Sequence, residues 1–360
     1  MAFVKFQNVG ITAMACAVPY KVIDNLHYMT EYYGEDNVKA VVEKIGVYER
    51  RFADENTCSS DLCFAAADRL LTDNHIDRSE IDLLIFISQT PDYRMPATSV
   101  ILQDRLGLPT TCMAYDINLG CAAFLFGLTT VYSLMQTGCF RKALLLDGET
   151  RSKVYSPRDR HEAFIFGDGG AAALIECNDK FGKSYFSLNA NGGLHDLIMI
   201  PAGGYRHMSS AETVKEKVVD QFGNMRSDEQ AQMKGQDVFA FTLTQVPKDV
   251  KKVLEFSAKN LDDMDYIVLH QANAFMNSYL VKKMKLDKEK IKSTIHKFGN
   301  TSSVSVPLTI VSELKDKLNG HHTLLVSAFG VGMTWASGVL DFNDCKISDI
   351  VEVENGKSIK

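Results

Sequence analysis

Cysteine pairs of the C-x-x-C kind are missing from this sequence, which removes zinc ribbons and thioredoxin-like redox chemistry from consideration. Eight cysteines in 360 residues are too sparse for a disulfide scaffold. The expected setting is therefore reducing and cytoplasmic, with most thiols acting as small buried hydrophobes. Positive charge is not in excess either: Lys+Arg is 39 against Asp+Glu 45, a net charge of -6. That argues against nucleic-acid binding, although a small local basic patch is still compatible with an acidic carrier or a phosphate. No apolar run reaches the roughly 18 residues of a membrane span. The apolar N-terminal stretch is interrupted by Lys5, Gln7 and Asn8 and has no charged leader, so it reads as a first strand rather than a signal peptide. Tryptophan occurs once, at Trp335, and no metal-ligand spacing is found.

Apolar content of 46% suffices for a large core or two fused ones. Short apolar runs at 83–88, 143–147, 171–176, 266–270 and 323–328 predict buried strands. Helical patterns at 61–72, 122–135 and 248–260 lie between them. This alternation predicts an α/β architecture with largely buried sheets. Two motifs then recur in the same order. Asp82-Leu-Leu-Ile-Phe-Ile-Ser88 echoes Asp265-Tyr-Ile-Val-Leu-His270, and Phe166-Gly-Asp-Gly-Gly170 echoes Phe329-Gly-Val-Gly332. The repeat implies a duplicated domain, with an N-terminal half at 1–180 and a C-terminal half at 181–360. Residues 205–234 are polar and read as a surface excursion, either a solvated loop or a lid.

Four segments carry chemistry. Cys121 follows a predicted strand and a Leu119-Gly120 turn and opens an apolar helix. Unpaired N–H groups and the positive end of the helix dipole there favour thiolate, though a cysteine so placed is often purely structural. His270 ends a predicted strand where a polar cluster begins, a place where active-site groups gather in α/β folds. Asn300, in Phe298-Gly-Asn300-Thr-Ser-Ser, offers an amide donor that never charges, and the same run also reads as a helix cap. Last, Phe329-Gly-Val331-Gly332 is a glycine-rich turn that brings backbone N–H groups close to a ligand.

Together, Gly120-Cys121-Ala122, His270-Gln271-Ala272-Asn273, Gly299-Asn300-Thr301-Ser302 and Phe329-Gly-Val-Gly-Met-Thr-Trp335 resemble the β-ketoacyl-acyl-carrier-protein synthase III family of the thiolase-like superfamily. Phe166-Gly-Asp-Gly-Gly170 and Ile45-Gly-Val-Tyr-Glu-Arg50 fit it too, so the resemblance spans nearly the whole chain. It implies a five-layered αβαβα fold made of two similar halves, usually a homodimer. It also implies an acyltransferase with no permanently bound cofactor, whose substrates are thioesters of coenzyme A or an acyl carrier protein. Cys121, His270 and Asn300 would be the catalytic residues, and the backbone amides of Cys121 and Val331 would hold the oxyanion. The implied reaction is acylation of Cys121, then decarboxylative condensation with a malonyl-type thioester to a β-ketoacyl product.

Several positions depart from the family pattern. Val331 stands where a glycine is usual. Residues 37–45 lack the usual tryptophan, and Lys44 stands for an arginine. Ala274-Phe275 replaces a basic residue, and Met95, usually Phe, would wall the acyl pocket across the dimer. Lys44, Phe275 and Met95 are accordingly the expected substrate contacts of a divergent member serving secondary metabolism. The alternatives are an acyltransferase that moves the acyl group to alcohol, amine or water without decarboxylation, and a non-catalytic partner of an active paralogue. Type III polyketide synthases share Cys-His-Asn but usually lack the His-Gln-Ala-Asn string.

Overall fold

Asn8 adopts a left-handed conformation with φ 60°, which asparagine tolerates better than most residues. It divides the N-terminal stretch, expected as one strand, into β1 (Ala2–Gln7) and β2 (Val9–Pro19). The two strands then enter different sheets. The computed structural model describes residues 2–359.

In the first sheet β2 is joined by β3 (Leu83–Ile87), β4 (Met113–Ile117), β5 (Lys142–Glu149) and β6 (Gly169–Cys177), in the order β2-β6-β5-β3-β4. The second contains β7 (Lys183–Ala190), β8 (Tyr266–Leu269), β9 (Ile291–Lys292), β10 (His321–Gly330) and β11 (Thr334–Asn343), in the order β7-β11-β10-β8-β9. Directions match position for position. β3 runs parallel to β4 and β5, as β8 does to β9 and β10; β5–β6–β2 is antiparallel throughout, as is β10–β11–β7. The sequence echo is therefore a duplicated architecture. Each sheet also accepts a strand from beyond its own stretch of chain. β1 lies antiparallel on β7, while β12 (Val351–Glu354) lies parallel on β2.

Five helices matter for the site: α1 (Ser59–Asp73), α2 (Ala123–Met135), α3 (Gly235–Ser257), α4 (Ala274–Met284) and α5 (Ser305–Leu314). α2 is apolar nearly all round, as a helix covered on both sides must be. With α5 it fills the central layer. Phe124, Leu128, Ile310 and Leu314 pack there against Ile85 and Leu145 of one sheet and Val326 and Leu340 of the other. α1 covers the outer face of the first sheet, and α3 with α4 covers that of the second. The result is the five-layered αβαβα, thiolase-like fold.

The helix expected at 248–260 instead runs from Gly235 to Ser257, straight through Pro247. Proline cannot bond the carbonyl one turn before it. That carbonyl, on Leu243, accepts from Lys283 Nζ of α4 at 2.6 Å, so it keeps a hydrogen-bond partner in a helix that runs on past the proline. The excursion 205–234 carries the short strand pair Lys217–Val218 with Met225–Arg226, and a second in which Gln232–Met233 pairs with Ile198–Met199. No helix among the described residues is long and apolar enough to cross a membrane.

Candidate active site

Cys121 sits in the turn that joins β4 to α2, buried to 6% exposure. Gly120 was expected for its freedom to bend. The structure gives a steric reason instead, because a Cβ there would come within 2.5 Å of Gln89 Oε1. Gly330 is constrained twice over. Its φ of 156° is rare for residues with side chains, and a Cβ would lie 2.6 Å from Cys121 Sγ. The turn after β10 therefore presses its backbone onto the sulfur, and it carries Val331 into the same cavity.

His270 lies at the C-terminal end of β8 and is buried. Its Nδ1 is 2.7 Å from Ser305 Oγ at the start of α5. Ser305 Oγ also accepts from the Gln271 N–H at 3.3 Å. A hydroxyl oxygen has two lone pairs, so the Nδ1 contact runs in whichever direction the imidazole tautomer sets, and it leaves Nε2 free of Ser305. Asn300 is pinned from the other half of the molecule. Its N–H donates to Ile165 O at 2.9 Å, and its C=O accepts from Gly167 N at 3.1 Å, which gives the Phe166-Gly167 motif its role. Its side-chain oxygen accepts from Ser302 N at 2.9 Å, so the amide is oriented with Nδ2 left to donate. The loop is held further by Ser303 Oγ, which donates to Asp147 Oδ1 at 2.5 Å.

Cys121, His270, Asn300 and Val331 line one cavity of about 480 Å³. Lys44 and Phe275 line it too. Lys44 is exposed and its Nζ lies 5.0 Å from the Phe275 ring centroid, which places the pair at the mouth. Met95 is 78% exposed and, unlike Lys44 and Phe275, does not line this cavity. No cluster of three or more His, Cys, Asp or Glu suited to a metal ion occurs among the described residues.

Burial pushes the Cys121 thiol up. The charge and hydrogen bond of His270, the Arg151 guanidinium and the Val331 N–H outweigh it and bring the thiol down to about 7. The lowering thus comes from three specific groups, where the sequence pointed to the α2 dipole. The sign follows directly: Cys121 is thiol below about pH 7 and thiolate above. Alkylation by iodoacetamide should therefore rise through a midpoint near pH 7. In His270→Ala that midpoint should move up by roughly one unit or more. An unchanged midpoint, read by mass spectrometry of the Cys121 peptide, would count against the His270 pairing.

Sequence reasoning missed Ser302, Ser305 and Arg151. Ser302 Oγ lies 3.8 Å from Cys121 Sγ and accepts from Arg151 Nη2 at 3.0 Å. Ser302 entered the sequence reading only as part of the Gly-Asn-Thr-Ser motif and its helix-cap run, and Ser305 carries no signal of its own. Arg151 carried the same signal as His270, a polar residue just past a buried strand, and was passed over.

A two-sheet thiolase-like fold with cysteine, histidine and asparagine around one buried cavity defines a class of condensing enzymes. The comparisons with known proteins agree. Residues 115–192 match the model of 3-oxoacyl-[acyl-carrier-protein] synthase III, and residues 254–342 match its C-terminal model. A 3-oxoacyl-(acyl-carrier protein) synthase of Burkholderia xenovorans LB400 superposes with a TM-score of 0.92 at 37% identity, covering 98% of this chain and 99% of that one. The synthase III of Pseudomonas aeruginosa PAO1 gives 0.82 at 27%, covering 93% and 98%. The β-ketoacyl-[acyl-carrier-protein] synthase III of Desulfitobacterium hafniense (strain Y51) is 32% identical over 338 residues, 93% of this chain and 98% of its own. The chain belongs to the 3-oxoacyl-acyl-carrier-protein synthase III family.

Proposed function

We propose that Cys121 is acylated by an acyl thioester and that the acyl group is then condensed, with loss of carbon dioxide, with a malonyl-type thioester. The observation that carries this reading is the convergence of a low-pKa buried thiol, an imidazole anchored through Nδ1 and a free amide donor on one cavity. In the first step the thiolate attacks the thioester carbonyl and expels the carrier's sulfur as a thiolate, while the N–H groups of Cys121 and Val331 receive the oxyanion. In the second, the bond to the malonyl carboxylate breaks and its electron pair moves to the thioester oxygen, giving an enolate. His270 and Asn300 donate to that oxygen. The enolate carbon then attacks the acyl-cysteine and releases the Cys121 thiolate with a β-ketoacyl product. Two neutral donors suit an oxygen on which charge is only developing.

Coenzyme A or an acyl carrier protein would deliver the substrates past Lys44 and Phe275, and Met95 would reach the pocket of a second copy in a homodimer. The division into related halves at 1–180 and 181–360 belongs to the same reading, supported by the matched strand orders. Carboxyl-labelled malonyl thioester is the test. Labelled carbon dioxide should appear in step with β-ketoacyl product. Acyl transfer to alcohol, amine or water with no labelled gas would favour the simple acyltransferase instead.

A further inference from the structure

Arg151 is 4% exposed and lines the same cavity as Cys121. Its three side-chain bonds all leave from one nitrogen: Nη2 donates to Gln89 Oε1 at 2.7 Å, Ser302 Oγ at 3.0 Å and Glu149 Oε1 at 3.2 Å. Among the described residues Nε has no acceptor, and no bond from Nη1 is formed. The guanidinium is thus buried beside the nucleophile with much of its donor capacity unspent. The surrounding wall is otherwise largely apolar, with Ile165, Phe166, Val238 and Phe329. A saturated acyl chain laid along this wall would offer Nη1 no acceptor, whereas an oxygen on that chain would give it one. Fully buried Glu149 pairs with Arg151 at 3.2 Å and offsets part of its charge.

We infer that Arg151 is a specificity-determining residue that selects acyl groups carrying an acceptor oxygen a few carbons from the thioester. This rests on acylation of Cys121 as proposed above. A hydroxyl and a carboxylate are the two sources of such an oxygen, and four-carbon thioesters separate them. The experiment is an intact-mass time course of self-acylation of the full chain with butyryl-, 3-hydroxybutyryl- and succinyl-coenzyme A. At least one oxygenated thioester should acylate about tenfold faster than butyryl, since a site built to bond an oxygen discriminates against analogues lacking it. The faster of the two identifies the oxygen.

In Arg151→Leu that ratio should fall to about one. Loss of the cation also costs thiolate at Cys121, but this slows all thioesters alike and cancels in the ratio, so a merely supportive role would leave the ratio unmoved. Arg151→Leu with Glu149→Gln removes both charges together and should give the same collapse without an unpaired buried carboxylate. Butyryl as fast as both others in the wild type overturns the inference, as does a preference that survives both variants. Failure of every thioester to acylate is a different result, since it overturns the assignment of Cys121 as nucleophile and this inference with it.

Discussion

Cys121→Ala should lose both the acyl adduct and the condensation, the latter by roughly 10⁴ or more, the scale on which removing an enzyme nucleophile acts. The reason is chemical selectivity within the chain. Cys16 and Cys63 are fully buried with thiols pushed well up by desolvation, and Cys345 is pushed up to about 12. Cys112 is pushed up to about 11, and burial also raises Cys58 and Cys177. Only Cys121 is brought down, to about 7. Intact mass after incubation with an acyl thioester should show a single adduct on the wild type and none on the variant. A persisting adduct in Cys121→Ala would place the nucleophile elsewhere and sink the proposed mechanism.

His270→Ala should separate the two half-reactions. Its thiol still stands beside Arg151 and the Val331 N–H, so acylation should proceed once the pH is raised. Condensation should stay depressed by roughly 10²–10³ at every pH, because the enolate has lost one of its two donors. Asn300→Ala supplies the control. It should show a similar loss in condensation and no shift in the pH of acylation, because an amide contributes no charge to the thiol. Single-turnover measurements, with pre-acylated enzyme mixed with malonyl thioester, isolate the second step. Equal pH shifts in the two variants would mean that both act through folding rather than through their separate roles.

Much of this site was legible because buried strands end abruptly. β8 stops at Leu269 and the polar cluster begins at His270; β4 stops just before the turn to Cys121. Period and punctuation together marked those positions, and the repeated motif marked the duplication. What stayed hidden depended on contacts distant in sequence. The helical pattern at 248–260 misses the turns before Pro247, because the lysine that bonds the Leu243 carbonyl lies on another helix. The split at Asn8 could not be read from composition, since both flanking stretches favour strand and only their different sheets reveal the break. Ser305 gained meaning only when packed against His270, and Arg151 only when its unspent donors were seen to line the cavity.

The exchanged strands give the molecule a reciprocal clasp. β1 closes the sheet that presents the histidine, while β12 and the neighbouring Lys346–Ile347 close the sheet that leads to the cysteine. Neither half can be finished by its own stretch of polypeptide, and the sulfur acquires its acidity from residues contributed by both. His270 and Val331 reach the thiol from one half and Arg151 from the other, so a chain deprived of its second half would keep the cysteine and lose most of what makes it reactive.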